Sequence, residues 1–354
     1  MFRKLLSLIA LAGVSYANAQ DSTSTPLTIS GSVDTYYKYD FSKVPNIGTS
    51  FATDQNSVSL GMIDVALKKT TGKASFVGEV SFGPRGQYQS IPNGDGTDGN
   101  SFHIQNLYAT YAFTDKFSMT AGYMGTFVGY EVISPVGNFN YSTSYLFTNG
   151  PFQNAGVKAN LALGKVGLMV GAFNTYWNQY RADSRYGVNT LGAQISVTPV
   201  EGWSAYLNLL TGKQSGTILD LTTAYQITDK FKLGLNAADF STQDDDTGYT
   251  GVALYPSVAV TSGFSLGLRG EYFKAKKNTS FLLFDEDDSY VGNLGPDADE
   301  SITSLTVSGN LKSGGLTFIP EFRIDNGSVN QFFKENGSLT KSASQISLAV
   351  VYAF

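Results

Sequence analysis

The last ten residues, Gln345 to Phe354 (QISLAVVYAF), alternate in character: Ile346, Leu348, Val350, Tyr352 and Phe354 share one parity, while Gln345, Ser347, Ala349 and Ala353 share the other. Successive side chains of a β-strand point to opposite faces, so this segment has one apolar face and one face of small or polar residues. A strand of about 10 residues with its apolar side toward lipid and its polar side toward a lumen is the repeating unit of a transmembrane β-barrel.

The other end of the chain indicates the compartment. Arg3 and Lys4 form a positive region, Leu5 to Val14 an apolar run, and Ala17-Asn18-Ala19 a cleavage site before Gln20. Together they predict a secretory signal peptide over residues 1–19 that is removed, leaving 20–354 as a single barrel domain. The apolar run is too short to span a membrane. No later stretch approaches the roughly 20 continuous apolar residues that a spanning helix needs, which excludes a helical membrane protein. Losing Arg3 and Lys4 takes the formal charge from −5 to −7, which argues against nucleic acid as a partner and against an electrostatic anchor on anionic lipid. Cysteine is absent, so there is no disulfide framework and no lipid anchor through an N-terminal cysteine, and stability must come from strand pairing. Gly (38), Tyr (21) and Phe (24) are plentiful and Pro (10) is scarce, as expected of a sheet whose aromatics gather at two membrane interfaces. A soluble β-sandwich could share that composition; the signal peptide, the alternation and the terminal aromatic decide together.

Short turns and longer connections alternate along the chain. The short ones are KTTG (69–72), TDK (114–116), GK (164–165), VEG (200–202), TDK (228–230), TSG (261–263) and SGG (313–315), all rich in turn-forming residues. Between them lie connections that are mostly longer and polar or glycine-rich, at 40–56, 84–101, 129–154, 177–186, 213–216, 241–248, 276–299 and 326–341. Seven turns and eight loops join sixteen strands. The expected fold is therefore all-β, an antiparallel transmembrane barrel of about 16 strands with both termini periplasmic, as bacterial barrels require.

Individual strands sort their residues by parity. Leu107, Ala109, Tyr111 and Phe113 are expected to face lipid, opposite Asn106, Tyr108 and Thr110; Phe117, Met119, Ala121 and Tyr123 are expected to face outward in the next strand. Charged residues within strands fall almost always on the polar parity: Asp34, Lys38, Asp64, Glu79, Lys158, Asp220, Lys232, Arg269, Glu271, Glu321, Arg323 and Asp325. They are expected to line a wet interior, because Arg or Lys on the lipid face near mid-membrane costs roughly 2 to 4 kcal/mol. Some could instead pair across the wall and serve stability alone. Seven acids against five bases leave ion selectivity open.

Sixteen strands enclose a lumen wide enough for an aqueous channel, whereas eight leave room only for packed side chains. The segment 129–154 (GYEVISPVGNFNYSTSYLFTNGPFQN) is the candidate constriction, being long, aromatic-rich and sparsely charged. Its rings could pack on the inner wall with Glu131, Asn138 and Asn140 toward the water path; a lid over the outer rim is the competing arrangement.

Other motifs carry less. Gly94-Asp95-Gly96-Thr97-Asp98-Gly99 matches G-x-G-x-x-G, but it follows no buried strand of a βαβ unit and opens no helix, so it is read as a loop tip. The acidic runs at 244–246 and 285–288, with Asp297, Asp299 and Glu300, offer hard oxygen ligands of the kind Ca²⁺ prefers. They lack regular spacing and are read as solvated loops rather than a specific site, with loose divalent binding near lipopolysaccharide phosphates as the other reading and no cofactor expected. Ser101 and His103 share a strand face and resemble part of an outer-membrane phospholipase triad. Their order is reversed and no orienting partner can be assigned, which makes phospholipase chemistry a remote reading and an enzyme of any class unexpected.

One stretch carries a family resemblance. Asn140, Tyr141, Ser142, Leu146, Phe147, Gly150, Pro151, Phe152, Gly156, Val157 and Lys158 make the run 140–158 similar to a region of the OmpL-like β-barrel porin-2 family of Bacteroidota outer membranes. The terminal Phe354 likewise resembles the closing residue of bacterial outer-membrane proteins, where it takes part in recognition by the barrel assembly machinery. The resemblance implies a porin-like barrel and says little about substrate. The expectation is an outer-membrane porin, a passive channel for small hydrophilic solutes embedded among outer-membrane lipids and lipopolysaccharide. The alternative is a barrel whose loops bind a surface partner. The sequence is compatible with a homo-oligomer and does not specify one.

Overall fold

Sixteen antiparallel strands close on themselves in the computed structural model, which describes residues 24–83, 102–243, 246–284 and 290–354. The expected signal peptide, the loop tip at 94–99, Ser101 and the acidic residues 244, 245 and 285–288 lie outside the described residues. The strands are β1 Thr28–Asp40, β2 Ser57–Thr71, β3 Ala74–Phe82, β4 Phe102–Ala112, β5 Phe117–Gly125, β6 Gln153–Leu163, β7 Val166–Asn174 and β8 Val188–Val197. They continue as β9 Trp203–Gly212, β10 Gly216–Gln226, β11 Phe231–Ser241, β12 Gly248–Ala259, β13 Phe264–Ala275, β14 Ser301–Ser313, β15 Leu316–Gly327 and β16 Ser342–Ala353. Each pairs with its neighbours in the chain, and β16 returns to β1 with Ser32 opposite Ala353 and Asp40 opposite Gln345. Gly31 and Phe354 exchange two backbone hydrogen bonds of 3.1 and 3.0 Å at the end of this seam. Closure leaves no unpaired sheet edge, which is what lets strands cross hydrocarbon.

The alternation read from β16 is a physical division of faces. Gln345, Ser347, Ala349 and Val351 are buried inside, and Ile346, Leu348 and Tyr352 are exposed outside. Rings collect at the short-turn ends of the outer face, with Tyr111 4.9 Å from Phe113, Phe113 5.5 Å from Phe117, and Trp203 5.5 Å from Tyr225. That is an interfacial girdle, where amphipathic rings are most favourable. Outward-parity charges such as Asp239 and Lys274 lie near the long-loop ends of their strands and are paired with Lys276 and Asp299. Tyr123 keeps the outward parity, opposite Leu107, but is buried beside Ala155 and Ile104 rather than exposed.

All seven short turns are present, the first displaced to Gly72–Lys73 because β2 continues to Thr71. Both described ends lie beside these turns: Thr25 donates to the Thr70 carbonyl, and Ala353 to that of Gly315. The connection after β9 shortens to residues 213–215, and two others contain small hairpins, Leu282–Phe284 with Tyr290–Asn293 and Phe332–Phe333 with Leu339–Thr340. The largest apolar cluster lies inside the barrel, where Ile47, Tyr145, Leu146 and Phe332 from loops meet wall residues including Phe173, Leu210, Tyr249 and Phe273.

Candidate functional site

The segment 126–152 joins β5 to β6 and folds against inward-facing side chains of the wall. Its backbone makes a 3₁₀ turn at Pro135–Gly137 and one helical turn, α1, at Tyr145–Thr148. Pro135 opens the first, and the Ser144 hydroxyl caps the second by accepting from Phe147 N at 3.0 Å.

Wall carboxylates hold this segment by its N–H groups. Glu271 on β13 accepts from the backbone of Tyr145 and Leu146 at 3.0 and 2.8 Å. Glu321 on β15 accepts from Tyr141 N and Ser142 N at 2.9 and 3.2 Å, and also from the Ser308 hydroxyl. Asp220 on β10 accepts from Gly129 N at 3.0 Å. The Tyr141 and Tyr145 hydroxyls donate to Asp34 and Asp325 at 2.5 and 2.6 Å. Burial first, then the neighbouring Asp325 carboxylate, pushes the Tyr145 phenol well above its ordinary range, which keeps it a donor.

Two guanidiniums hold the carbonyl side. Arg269 donates to Ser142 O at 2.5 Å and pairs with Glu131 at 2.8 Å; Glu131 in turn accepts from Ser144 N and its hydroxyl, both at 2.7 Å. Arg323 donates to Thr143 O and to Thr49 of the first loop, each at 2.8 Å, pairs with Asp325, and lies 5.0 Å from the Tyr145 ring centre. A buried charge is costly unless it is paired and hydrogen-bonded; both guanidiniums are paired and use the loop as partner, with Arg269 Nε left without an acceptor.

Packing completes the attachment. Tyr130 stacks on Tyr255 with ring centres 4.3 Å apart. Gly234 and Gly267 let Tyr130 and Phe139 lie on the wall, since a Cβ there would stand 2.2 Å from the Tyr130 hydroxyl and 2.3 Å from the Phe139 ring.

The remaining sequence-selected residues sit elsewhere. Lys38 is buried and donates to the Ile47 and Thr53 carbonyls, so it holds the first loop. Asp64 accepts from Ser32, and Glu79 from Asn106 at 2.6 Å. Lys158 is half-buried and Lys232 exposed. Asn140 is buried and donates to Ser308, while Asn138 ties back onto both backbone groups of Val132. Sequence reasoning passed over Tyr141 and Tyr145 as hydrogen-bonding anchors; their only signal was a phenol pair four residues apart in a loop. It also passed over Lys68 and Lys312, which occupy inward positions and are exposed.

Between this layer and the short turns the interior is open. A cavity of about 570 Å³ is lined by Tyr130, Phe139, Lys232 and Lys312, among others. One of about 640 Å³ lies against Thr110, Asn160, Met169 and Gln194. A third, of about 290 Å³, shares Tyr130 with the first and Gln194 with the second. Among the described residues, no three acidic or histidine side chains gather as metal ligands.

A closed sixteen-strand wall, apolar outside, with a loop folded onto its charged inner face, defines an outer-membrane β-barrel of the porin type. The chain belongs to the family described as "Putative beta-barrel porin-2, OmpL-like", whose model matches residues 26–354, and its location is the bacterial outer membrane. Among solved structures it is similar to the outer membrane channel DcaP of Acinetobacter baumannii, with TM-score 0.60 and 13% identity over 93% of this chain and 97% of that one. It is similar also to in-vitro folded OmpT of Vibrio cholerae in its trimer form, with TM-score 0.57 and 12% identity over 94% and 99%. A mutant of the Rh. blastica porin matches with TM-score 0.55 and 12% identity over 93% and 100%. At these identities the likeness shows the fold alone. No curated protein matches the sequence.

Proposed function

We propose that the protein is a passive diffusion channel for small hydrophilic solutes, with the segment 129–154 as its constriction. In this reading residues 1–19 are a removed signal peptide, the short turns and both termini face the periplasm, and the long loops face outward among lipopolysaccharide of a Bacteroidota cell. The barrel assembly machinery recognises the Phe354 end. A homo-oligomer belongs to the same reading, since the similar OmpT structure is described as a trimer.

The observation that carries the reading is the attachment of the loop between β5 and β6 to Glu271, Glu321, Arg269 and Arg323 inside the wall. A barrel that served only to display loops has no need to spend four buried charges on drawing one inward. A sixteen-strand lumen does need narrowing if passage is to be selective. Purified folded barrel in planar bilayers should give discrete open-channel steps, and liposomes containing it should swell in small sugars. Absence of both would favour the alternative, a closed barrel whose loops bind a surface partner.

A further inference from the structure

We infer that the channel prefers anions, so that its solutes are small molecules carrying carboxylate, phosphate or comparable negative charge. The inference rests on the diffusion-channel reading and adds a substrate class to it.

Counted along the chain, the inward strand positions are slightly acidic. The structure redistributes that count. Asp34, Asp64, Asp220, Glu271, Glu321 and Asp325 are each at most 5% exposed. Their oxygens are occupied by loop N–H groups, by Tyr141 and Tyr145, or by neighbouring strand side chains. The bases Lys38, Arg269 and Arg323 are equally withdrawn, each 0% exposed and bonded to loop carbonyls. Neither group presents its charge to a passing solute.

What remains toward the lumen is different in sign. Lys68, Lys158, Lys232 and Lys312 occupy inward positions on β2, β6, β11 and β14, opposite Val77, Thr120, Ser257 and Thr317 respectively. Three are exposed and Lys158 is half-buried. Among the described residues none of their ammonium groups is in a hydrogen bond or ion pair; Glu79 lies in the field of Lys68. Lys232 and Lys312 line the 570 Å³ cavity beneath the folded loop; the one acid lining it among the described residues, Glu131, is 7% exposed and paired with Arg269. The other inward positions of that half are neutral, as at Thr110, Asn160, Gln194, Ser257 and Thr317. Four unpaired cations and one half-buried acid, inside low-dielectric walls that focus their field, raise the local concentration of anions and exclude cations.

The test is the reversal potential of the purified protein in planar bilayers under a KCl gradient. Chloride should permeate about threefold or more over potassium at low salt, and the preference should shrink toward 1 M as the screening length falls from about 10 Å to about 3 Å. The triple variant Lys158→Gln, Lys232→Gln, Lys312→Gln should bring the ratio to about one, while the matching Lys→Arg triple keeps it. Heat-resistant migration on gels verifies that each variant is folded. Conductance with potassium preferred, or an unchanged ratio in the Gln triple, overturns the anion inference and leaves the channel standing. No conductance in wild type overturns the channel reading and this inference with it.

Discussion

Replacing Glu271 with Ala removes the acceptor for two loop N–H groups, those of Tyr145 and Leu146, at a site where the carboxylate is only 2% exposed. Hydrogen bonds to a charged partner contribute about 1.5 to 3 kcal/mol each, so the loop's docked state should lose roughly 3 to 6 kcal/mol, partly restored if water fills the space. Even 3 kcal/mol is a shift of roughly a hundredfold between docked and undocked loop. Arg269 keeps its partner Glu131, and the wall keeps its ladders. Single-channel recording should therefore show larger and noisier open currents than wild type, with unchanged heat resistance on gels. Glu271→Gln, which retains one carbonyl acceptor, should fall between. A Glu271→Ala channel with the conductance and noise of wild type would refute the idea that this carboxylate holds a constriction in place.

Deleting Asn138 to Asn149 should raise conductance roughly twofold or more, because the loop fills a lumen otherwise wide enough for water. Stability should change little, since Glu271, Glu321, Arg269 and Arg323 would then face solvent rather than stand buried without partners, and thermal unfolding of the two forms compares them. Removing Phe354 should lower outer-membrane assembly without reducing export, because it deletes the residue that exchanges two hydrogen bonds with Gly31; fractionation of cells checks both quantities. In this cysteine-free chain, Asn336→Cys should react with an impermeant maleimide on intact cells and Lys116→Cys only after lysis; the reverse pattern would invert the orientation.

The barrel was legible because alternation is a local property: each strand declares its two faces within about ten residues, and turns of Gly, Asp and Lys punctuate them. The seven turns and the parity of residues such as Leu107, Phe322 and Glu321 needed nothing more. The small hairpins within the loops were not legible, since pairs such as Phe332–Phe333 with Leu339–Thr340 are too short for periodicity to register. Nor was the use of the inward charges. Parity says that Glu321 and Arg323 point inward, but whether they meet water or a loop depends on partners 180 residues away. The loop's own limits shifted from 129–154 to 126–152 because β5 ends at Gly125 and β6 begins at Gln153, where Gly and Asn allow either reading.

The anchors of the inner loop are scattered along the chain in a way that orders events in time. Tyr141 and Tyr145 follow Asp34 by 107 positions or more but precede Glu271, Glu321 and Asp325 by 126 to 180. Their partners on β13 and β15 belong to the last quarter of the molecule, and contacts that remote in sequence form slowly because so much chain must be brought together first. The wall pairs strands adjacent in the chain, except at the seam of β16 with β1, whereas seating the loop needs anchors far apart in it, so the seated loop is expected to form after the neighbouring strands have paired. The segment from Tyr141 to Tyr145 lies about two-fifths of the way along the chain, so it precedes the strands that hold it and is expected to stay unseated until they are in place.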